Sequence, residues 1–181
     1  MTTVIAIDPS SRKLAAVVAK VGKEPTVETH TRKLPQDKPT ACLLAFEWVR
    51  NLVDMQGDTD VYVFVEMPVL GRGGPGSTIP QAQINGALLA GAQMVSAEVV
   101  PVNNARVKKS VIGKGNATKE DIRDWVKSAW PVLHAQIGKD QDLCDSAMIY
   151  VYGKGVVQRR NKIAKAKNLT SVGVRRAKVR R

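Results

Sequence analysis

Val61-Tyr62-Val63-Phe64-Val65-Glu66 is the stretch that settles the architecture. Five β-branched or aromatic residues in succession favour an extended backbone. No charged residue alternates with them, so both faces of the strand must be covered, as happens inside a sheet with helices on either side. The run ends in a carboxylate, and Met67-Pro68 stops it. Val4-Ile5-Ala6-Ile7 repeats the pattern near the start of the chain. It too ends in an acid, Asp8, followed by Pro9-Ser10. Two buried strands, each with an acid at its C-terminal tip, frame the rest of the reading.

Outward from the first strand, Lys13–Lys20 and Thr26–Leu34 read as two more, separated by Gly22 and Pro25, so an antiparallel meander is expected. Thr40 to about Met55 reads as a helix with an apolar stripe of Leu43, Leu44, Phe46 and Val49. Beyond Pro68, the run Gly71–Ser77 holds four glycines and a proline and is expected to be irregular. A long helix from about Ile79 to Glu98 follows, then a strand at Val99–Val102 and a basic loop to Asn116. Thr118-Lys119-Glu120-Asp121 opens a helix that ends near Pro131. Thr118 can cap it, and the two acids suit the positive end of its dipole. A last helix starts near Lys139–Asp140, with Asp140 as its cap, and runs through Ala147 and Tyr150. This order predicts an α/β protein, a mixed five-stranded sheet flanked by helices. The 181 residues are enough for one such domain.

Charge divides the chain unevenly. Gly153–Arg181 carries 11 Lys or Arg and no acid, whereas Met1–Tyr152 balances 17 basic against 16 acidic residues. Residues 1–152 are therefore read as the folded domain and 153–181 as a basic tail. Such a tail suits a polyanion, because phosphate neutralisation releases condensed counterions. Arg159, Lys162, Ile163, Ala166 and Lys167 allow a helical extension, which Thr170–Val174 is expected to break. A second basic cluster comprises Arg106, Lys108, Lys109, Lys114 and Lys119. Cys42 and Cys144 lie in apolar helical surroundings without paired spacing, which points to buried thiols in a reducing compartment. With no membrane-length apolar run and no targeting signal, a cytoplasmic location and no membrane partner are expected. His30 and His134 stand apart from any ligand spacing, and Trp48, Trp125 and Trp130 read as helix-packing residues.

The acids carry the chemistry. Asp142 and Asp145 are three apart, on one face of the last helix. If the strands ending in Asp8 and Glu66 are neighbours, docking that helix on their edge gathers four carboxylates, which repel unless cations neutralise them. Oxygen ligands favour Mg²⁺, with Mn²⁺ able to substitute. Two such ions about 4 Å apart can activate water and stabilise the leaving oxygen of a phosphodiester.

With these residues in view, the chain resembles the RuvC family of Holliday-junction resolvases. Ile5-Ala6-Ile7-Asp8-Pro9-Ser10 is similar to the family's opening strand and first acid, and Phe64-Val65-Glu66 to the second. Asp142-Leu143-Cys144-Asp145-Ser146-Ala147 is similar to its terminal D-x-x-D-A pattern. Val107–Lys119 matches V-K-x-x-[VL]-x-G-x-G-x-A-x-K, the most specific of these segments. Ser10 stands where members usually have Gly, and Val69-Leu70 where many carry an aromatic. The resemblance implies a ribonuclease-H-like fold and a homodimer acting on four-way DNA junctions with Mg²⁺. It makes Asp8, Glu66, Asp142 and Asp145 the catalytic metal ligands, and places Lys108 and Lys119 near the scissile DNA. The expected function is a metal-dependent, structure-selective endonuclease for branched DNA. Arg72, Arg106, Lys108, Lys109, Lys114, Lys119, Arg159, Arg160 and Lys162 are its expected DNA contacts. A ribosomal-RNA-processing nuclease of the same superfamily and a non-cleaving basic DNA-binding module are the rivals. The helix near residues 79–98, apolar or small on most sides, is expected to be covered by a second subunit.

Overall fold

The computed structural model describes residues 2–22, 27–57, 60–68 and 74–179, and the side chains of all of these except residue 77 and residues 168–179. Val69, Leu70, Gly71, Arg72 and Gly73 lie outside the described residues. The β-branched runs form the strands they favour: β1 (Thr2–Pro9), β2 (Lys13–Lys20), β3 (Val27–Lys33), β4 (Asp60–Glu66) and β5 (Glu98–Val102). The helices are α1 (Lys38–Asp54), α2 (Gly74–Met94), α3 (Asn104–Val111), α4 (Lys119–Ala129), α5 (Pro131–Ile137) and α6 (Gln141–Val179). The sheet order is β3-β2-β1-β4-β5. β1 to β3 form the antiparallel meander, while β4 lies parallel to β1 and β5 parallel to β4. This is the mixed sheet expected from the sequence.

Alternation along the central strands divides the core in two. Val4, Ala6, Ala15, Val17 and Phe64 pack under α6 and α4. Ile5, Ile7, Leu14, Val63 and Val65 face the other way, against α1 and α2. Each fully buried Ile, Leu or Phe contributes about 1.5–3 kcal/mol relative to exposure, so the two layers hold the sheet rigidly between them. Glycine permits the closest approach on each side. A Cβ at Gly153 of α6 would stand 2.8 Å from the Phe64 ring, and one at Gly91 of α2 would stand 2.5 Å from the Phe46 carbonyl of α1.

Several boundaries differ from the sequence reading. α2 starts at Gly74, so Gly74–Ser77 is helical and not irregular. Pro75 falls in the first turn, where a missing N–H costs nothing, and Thr78 donates its hydroxyl to the Gly74 carbonyl at 3.0 Å. The same helix stops at Met94, where Ser96 takes a left-handed φ of 60° and Ala97 N–H turns back to the Ala92 carbonyl. The expected basic loop contains α3. Its one buried residue is Val107, so no apolar period announced it. α4 ends at Ala129, near Pro131 as expected, but Pro131 also begins a further helix, α5, whose Leu133 and Ile137 are buried four apart. Asp140 caps α6 as expected, accepting from the N–H groups of Asp142 and Leu143.

α6 runs unbroken for 39 residues, across position 152 and through Thr170–Val174, where a break was expected. Thr170–Val174 holds weak helix formers but no proline, so no residue there removes an i→i−4 hydrogen bond and forces the helix to stop. Val157 is fully buried, so α6 belongs to the core at least that far. Trp125 and Trp130 pack against the core, Trp130 with its ring 5.5 Å from that of Tyr150. Cys42 and Cys144 are free thiols, the latter buried. Among the described residues no helix is long and apolar enough to cross a membrane.

Candidate active site

Side-chain parity brings the acids together. Val4 and Ala6 face α6, so Asp8 does too; Phe64 faces α6, so Glu66 follows it. The register pairs Ile7 with Val65, which sets Asp8 and Glu66 side by side at the C-terminal edge of neighbouring parallel strands. α6 is fastened over this edge at two points. The fully buried Ser146 donates its hydroxyl to the Ala15 carbonyl at 3.0 Å. Lys13, the first residue of β2, bonds Asp140 at 2.8 Å and Asp142 at 3.0 Å. Ser10 closes the hairpin that presents Lys13. Its hydroxyl accepts from Lys13 N–H and donates to the Lys13 carbonyl, both at 2.9 Å. Ser10 therefore contributes two bonds to the turn.

Three of the four acids are held above the ordinary carboxyl range. Burial pushes the Asp8 carboxyl well above the usual range, and the charges of Glu66, Asp145 and Asp142 push it further, with Lys119 opposing. Burial raises Glu66 to about 6; Asp145 adds to the rise, while the Asn104 hydrogen bond and Lys108 oppose it. Asp145 is also raised, by burial first, against a Gln141 hydrogen bond and the charges of Lys108 and Lys119. Asp142 is the most open of the set, its side chain 40% exposed, and it rests on Lys13.

The side chains are engaged with protein groups and do not form a closed cage. Glu66 Oε1 accepts from Asn104 Nδ2 at 2.7 Å, and Asp145 Oδ2 from Gln141 Nε2 at 3.2 Å. Among the described residues, no three acids, histidines or cysteines surround one point as ion ligands do. Yet Glu66 Oε2 and Asp145 Oδ1 are buried with no hydrogen-bond partner. Unpartnered buried carboxylate oxygens among mutually repelling acids fit a hard divalent cation, which needs oxygen donors and supplies the missing charge.

Of the basic residues expected to contact DNA, Lys108 and Lys119 are the two whose charges reach the acids. Lys108 is steadied by donating to the Ala117 carbonyl at 2.9 Å. Arg106, Lys109 and Lys114 are exposed on the adjoining surface. Arg159 and Lys162 are exposed on α6, remote in sequence from the acids. Arg160, also an expected DNA contact, has protein partners in this structure. It pairs with Glu98 and lies over the Tyr62 ring, 5.8 Å from its centroid. Sequence reasoning missed Lys13, Asn104 and Gln141. Asn104 had one available signal: it stands two residues beyond a strand's C-terminal end, where open α/β sheets bind their ligands.

No family model matches the sequence. The crossover junction endodeoxyribonuclease RuvC of Acinetobacter baylyi is 27% identical over 169 residues, covering 88% of this chain and 88% of that protein. The structure of Thermus thermophilus RuvC superposes with a TM-score of 0.66 at 20% identity, over 82% of this chain and 90% of that one. The chain is RuvC-like in sequence and in fold. T. thermophilus RuvC in complex with a Holliday junction substrate matches equally, at a TM-score of 0.66 and 20% identity over 83% and 90% of the two chains. The yeast mitochondrial Holliday junction resolvase Ydc2 follows at 0.57 and 11% identity, over 90% of this chain and 83% of that one. The RuvC-like fold is the ribonuclease-H-like sheet described above.

The raised acids give this RuvC-like chain a testable pH response. A carboxyl whose folded pKa exceeds its unfolded value holds its proton more tightly when folded. The metal-free fold therefore loses stability as pH rises from the unfolded value near 4 through the folded one, about 6 for Glu66. Asp37, Asp121 and Asp140, which are shifted downward, lose their contributions only at lower pH, outside this window. In thermal melts the metal-free protein should unfold at a lower temperature near pH 7.5 than near pH 5. Excess Mg²⁺ should raise the value at pH 7.5, and Glu66→Gln should flatten the metal-free difference. A melting temperature that climbs over this range without metal would contradict the assignment.

Proposed function

We propose that the chain is a metal-dependent endonuclease for branched DNA, four-way junctions above all, with Asp8, Glu66, Asp142 and Asp145 as its catalytic acids and metal ligands. The observation that carries this reading is the convergence of four acids from β1, β4 and α6, charged against one another at a sheet edge. Mg²⁺ is the natural occupant, two ions per site, with Mn²⁺ able to replace it; when bound, the metal would supply an activated water and Lewis-acid stabilisation of the leaving oxygen. The charges of Glu66, Asp145 and Asp142 all act on Asp8, and Glu66 and Asp145 each offer a free buried oxygen. Lys108 and Lys119, whose charges act on Asp145, would take the charge of the scissile phosphate. Arg106, Lys109 and Lys114 extend that positive surface for sequence-independent backbone contacts, and the A. baylyi and T. thermophilus relatives supply the junction as the substrate class. Cleavage of a synthetic four-way junction beside linear duplex and structured RNA, with Mg²⁺ or with a chelator, tests the reading. Preferred, chelator-sensitive cutting of the junction is expected. Faster cutting of the RNA, or junction binding without cleavage, would overturn it.

The assembly follows from α2. Ile79 and Met94 are 56% and 69% exposed, and Ala82, Gly86 and Ala90 lie exposed between them along one helical face. α6 packs with the opposite face of the sheet and leaves this stripe to another partner. A second copy fits it, because small residues let two helices approach closely and a two-fold pair provides one site for each cut strand. Sedimentation at micromolar concentration should show a dimer, and Gly86→Arg should shift it to a monomer. A wild-type monomer both free and on a junction would count against this arrangement.

A further inference from the structure

Glu66 is gripped by one of its two oxygens. Oε1 accepts the 2.7 Å bond from Asn104 Nδ2, while Oε2 is buried and unpartnered. Asn104 arrives there by way of the sheet. The register pairs Glu66 with Val102 on β5, and Met67 N–H donates to the Val102 carbonyl at 2.9 Å. After Val102 the chain turns into α3, whose first residue is Asn104. The Asn103 cap fixes that turn, its side chain accepting from Arg106 N–H at 3.1 Å. Asn104 is thus anchored by a strand on one side and a helix start on the other, and its side chain has two rotatable bonds against three for Glu66. The amide is the fixed partner and the carboxylate the adjustable one.

The chemistry of the pair is directional. An amide –NH₂ only donates, so it selects an acceptor oxygen and leaves the other oxygen of Glu66 available. Asn104 Oδ1 is itself buried and unpartnered. Both residues line a cavity of about 460 Å³ with Lys108, Gly115 and Asn116. We propose that Asn104 is a positioning residue that ties Oε1 of Glu66 and presets its Oε2 as a single-oxygen ligand for the divalent cation. This rests on the reading of Glu66 as a metal ligand.

The test measures Mn²⁺ binding to the DNA-free protein by calorimetry, beside the Mg²⁺ dependence of junction cleavage. Asn104→Ala and Asn104→Leu, the latter nearly keeping shape but losing the donor without adding charge, should weaken Mn²⁺ binding about 10-fold, as loss of an outer-shell partner does. The Mg²⁺ concentration for half-maximal cleavage should rise in step, while the rate at saturating Mg²⁺ changes much less. Asn104→Gln or Asn104→His, which retain a donor, should recover part of the binding, and the metal-free melting temperature of Asn104→Ala should stay near wild type. Glu66→Gln separates the possibilities. If it weakens Mn²⁺ binding and the Asn104 variants do not, the role of Asn104 falls and the metal site stands. If neither changes binding, both fall. A large drop in metal-free melting temperature, or no recovery by either donor variant, would reduce Asn104 to a structural residue and overturn the proposal.

Discussion

Asp8→Asn, Glu66→Gln, Asp142→Asn and Asp145→Asn are each expected to slow junction cleavage by more than about 100-fold while leaving junction binding within a few-fold of wild type. Loss of an outer-shell partner typically costs 10–100-fold, and loss of a direct ligand should exceed that. Each substitution keeps the side chain's shape and removes one negative charge. Asp8→Asn removes the acid on which the other three act and which burial already disfavours as an anion, so it should also stabilise the metal-free fold. Asp142→Asn leaves Lys13 with Asp140 alone, a partly exposed pair, so its effect on stability should be small. Binding should survive all four changes, because phosphate contacts come from basic groups and neutralising an acid beside DNA removes repulsion. Single-turnover cleavage, with binding followed in Ca²⁺, measures both. Metal-dependent cleavage near the wild-type rate in any one variant would remove that residue from the site.

The legible part of this site was the part written in backbone periodicity. Val61–Val65 and Val4–Ile7 have few conformations open to them other than buried strands, and a period of two then carries Asp8 and Glu66 to one face. Asp142 and Asp145 share a helix face by the same kind of arithmetic, and the Thr118 cap was readable from four residues. The adjacency of β1 and β4 was only a condition in the sequence, since nothing local names a strand's neighbour. α3 escaped because it buries a single valine, and α5 because a proline reads equally as a stop and as a first turn. The grip of Lys13 on Asp140 and Asp142 spans well over a hundred residues of chain. Asn104 reaches Glu66 from 38 residues away. Such pairings exist only once the sheet register is set, so the sequence could place Asn104 beyond a strand's end but could not name its partner. The helical tail was obscured for a different reason: weak helix formers at Thr170–Val174 were weighed as a break, although none of them is a proline that would force one.

Removal of residues 162–181 is expected to flatten the slope of log affinity against log salt by about 3 to 4 units. The segment carries eight positive charges and no acid: Lys162, Lys165, Lys167, Arg175, Arg176, Lys178, Arg180 and Arg181. If roughly half of them meet phosphates, a slope of about 0.9 per charge gives that change. The cut belongs after Asn161 because Val157 is fully buried and Gly153 lies against Phe64, so an earlier truncation would strip the core. Ile163 is 57% exposed, and its loss should cost little stability. The segment continues α6 as a helix for about 30 Å beyond Val157, long enough to follow a DNA arm. Binding at low salt should weaken several-fold or more, for linear duplex and four-way junction alike, because such contacts read charge and not branching. Cleavage at saturating enzyme should keep its rate, since all four acids lie before residue 146. An unchanged salt slope, with the truncated protein melting as the full chain does, would mean that the body's own cluster from Arg106 to Lys119 supplies the phosphate contacts. A loss confined to the junction would mean that the helix reads the branch point.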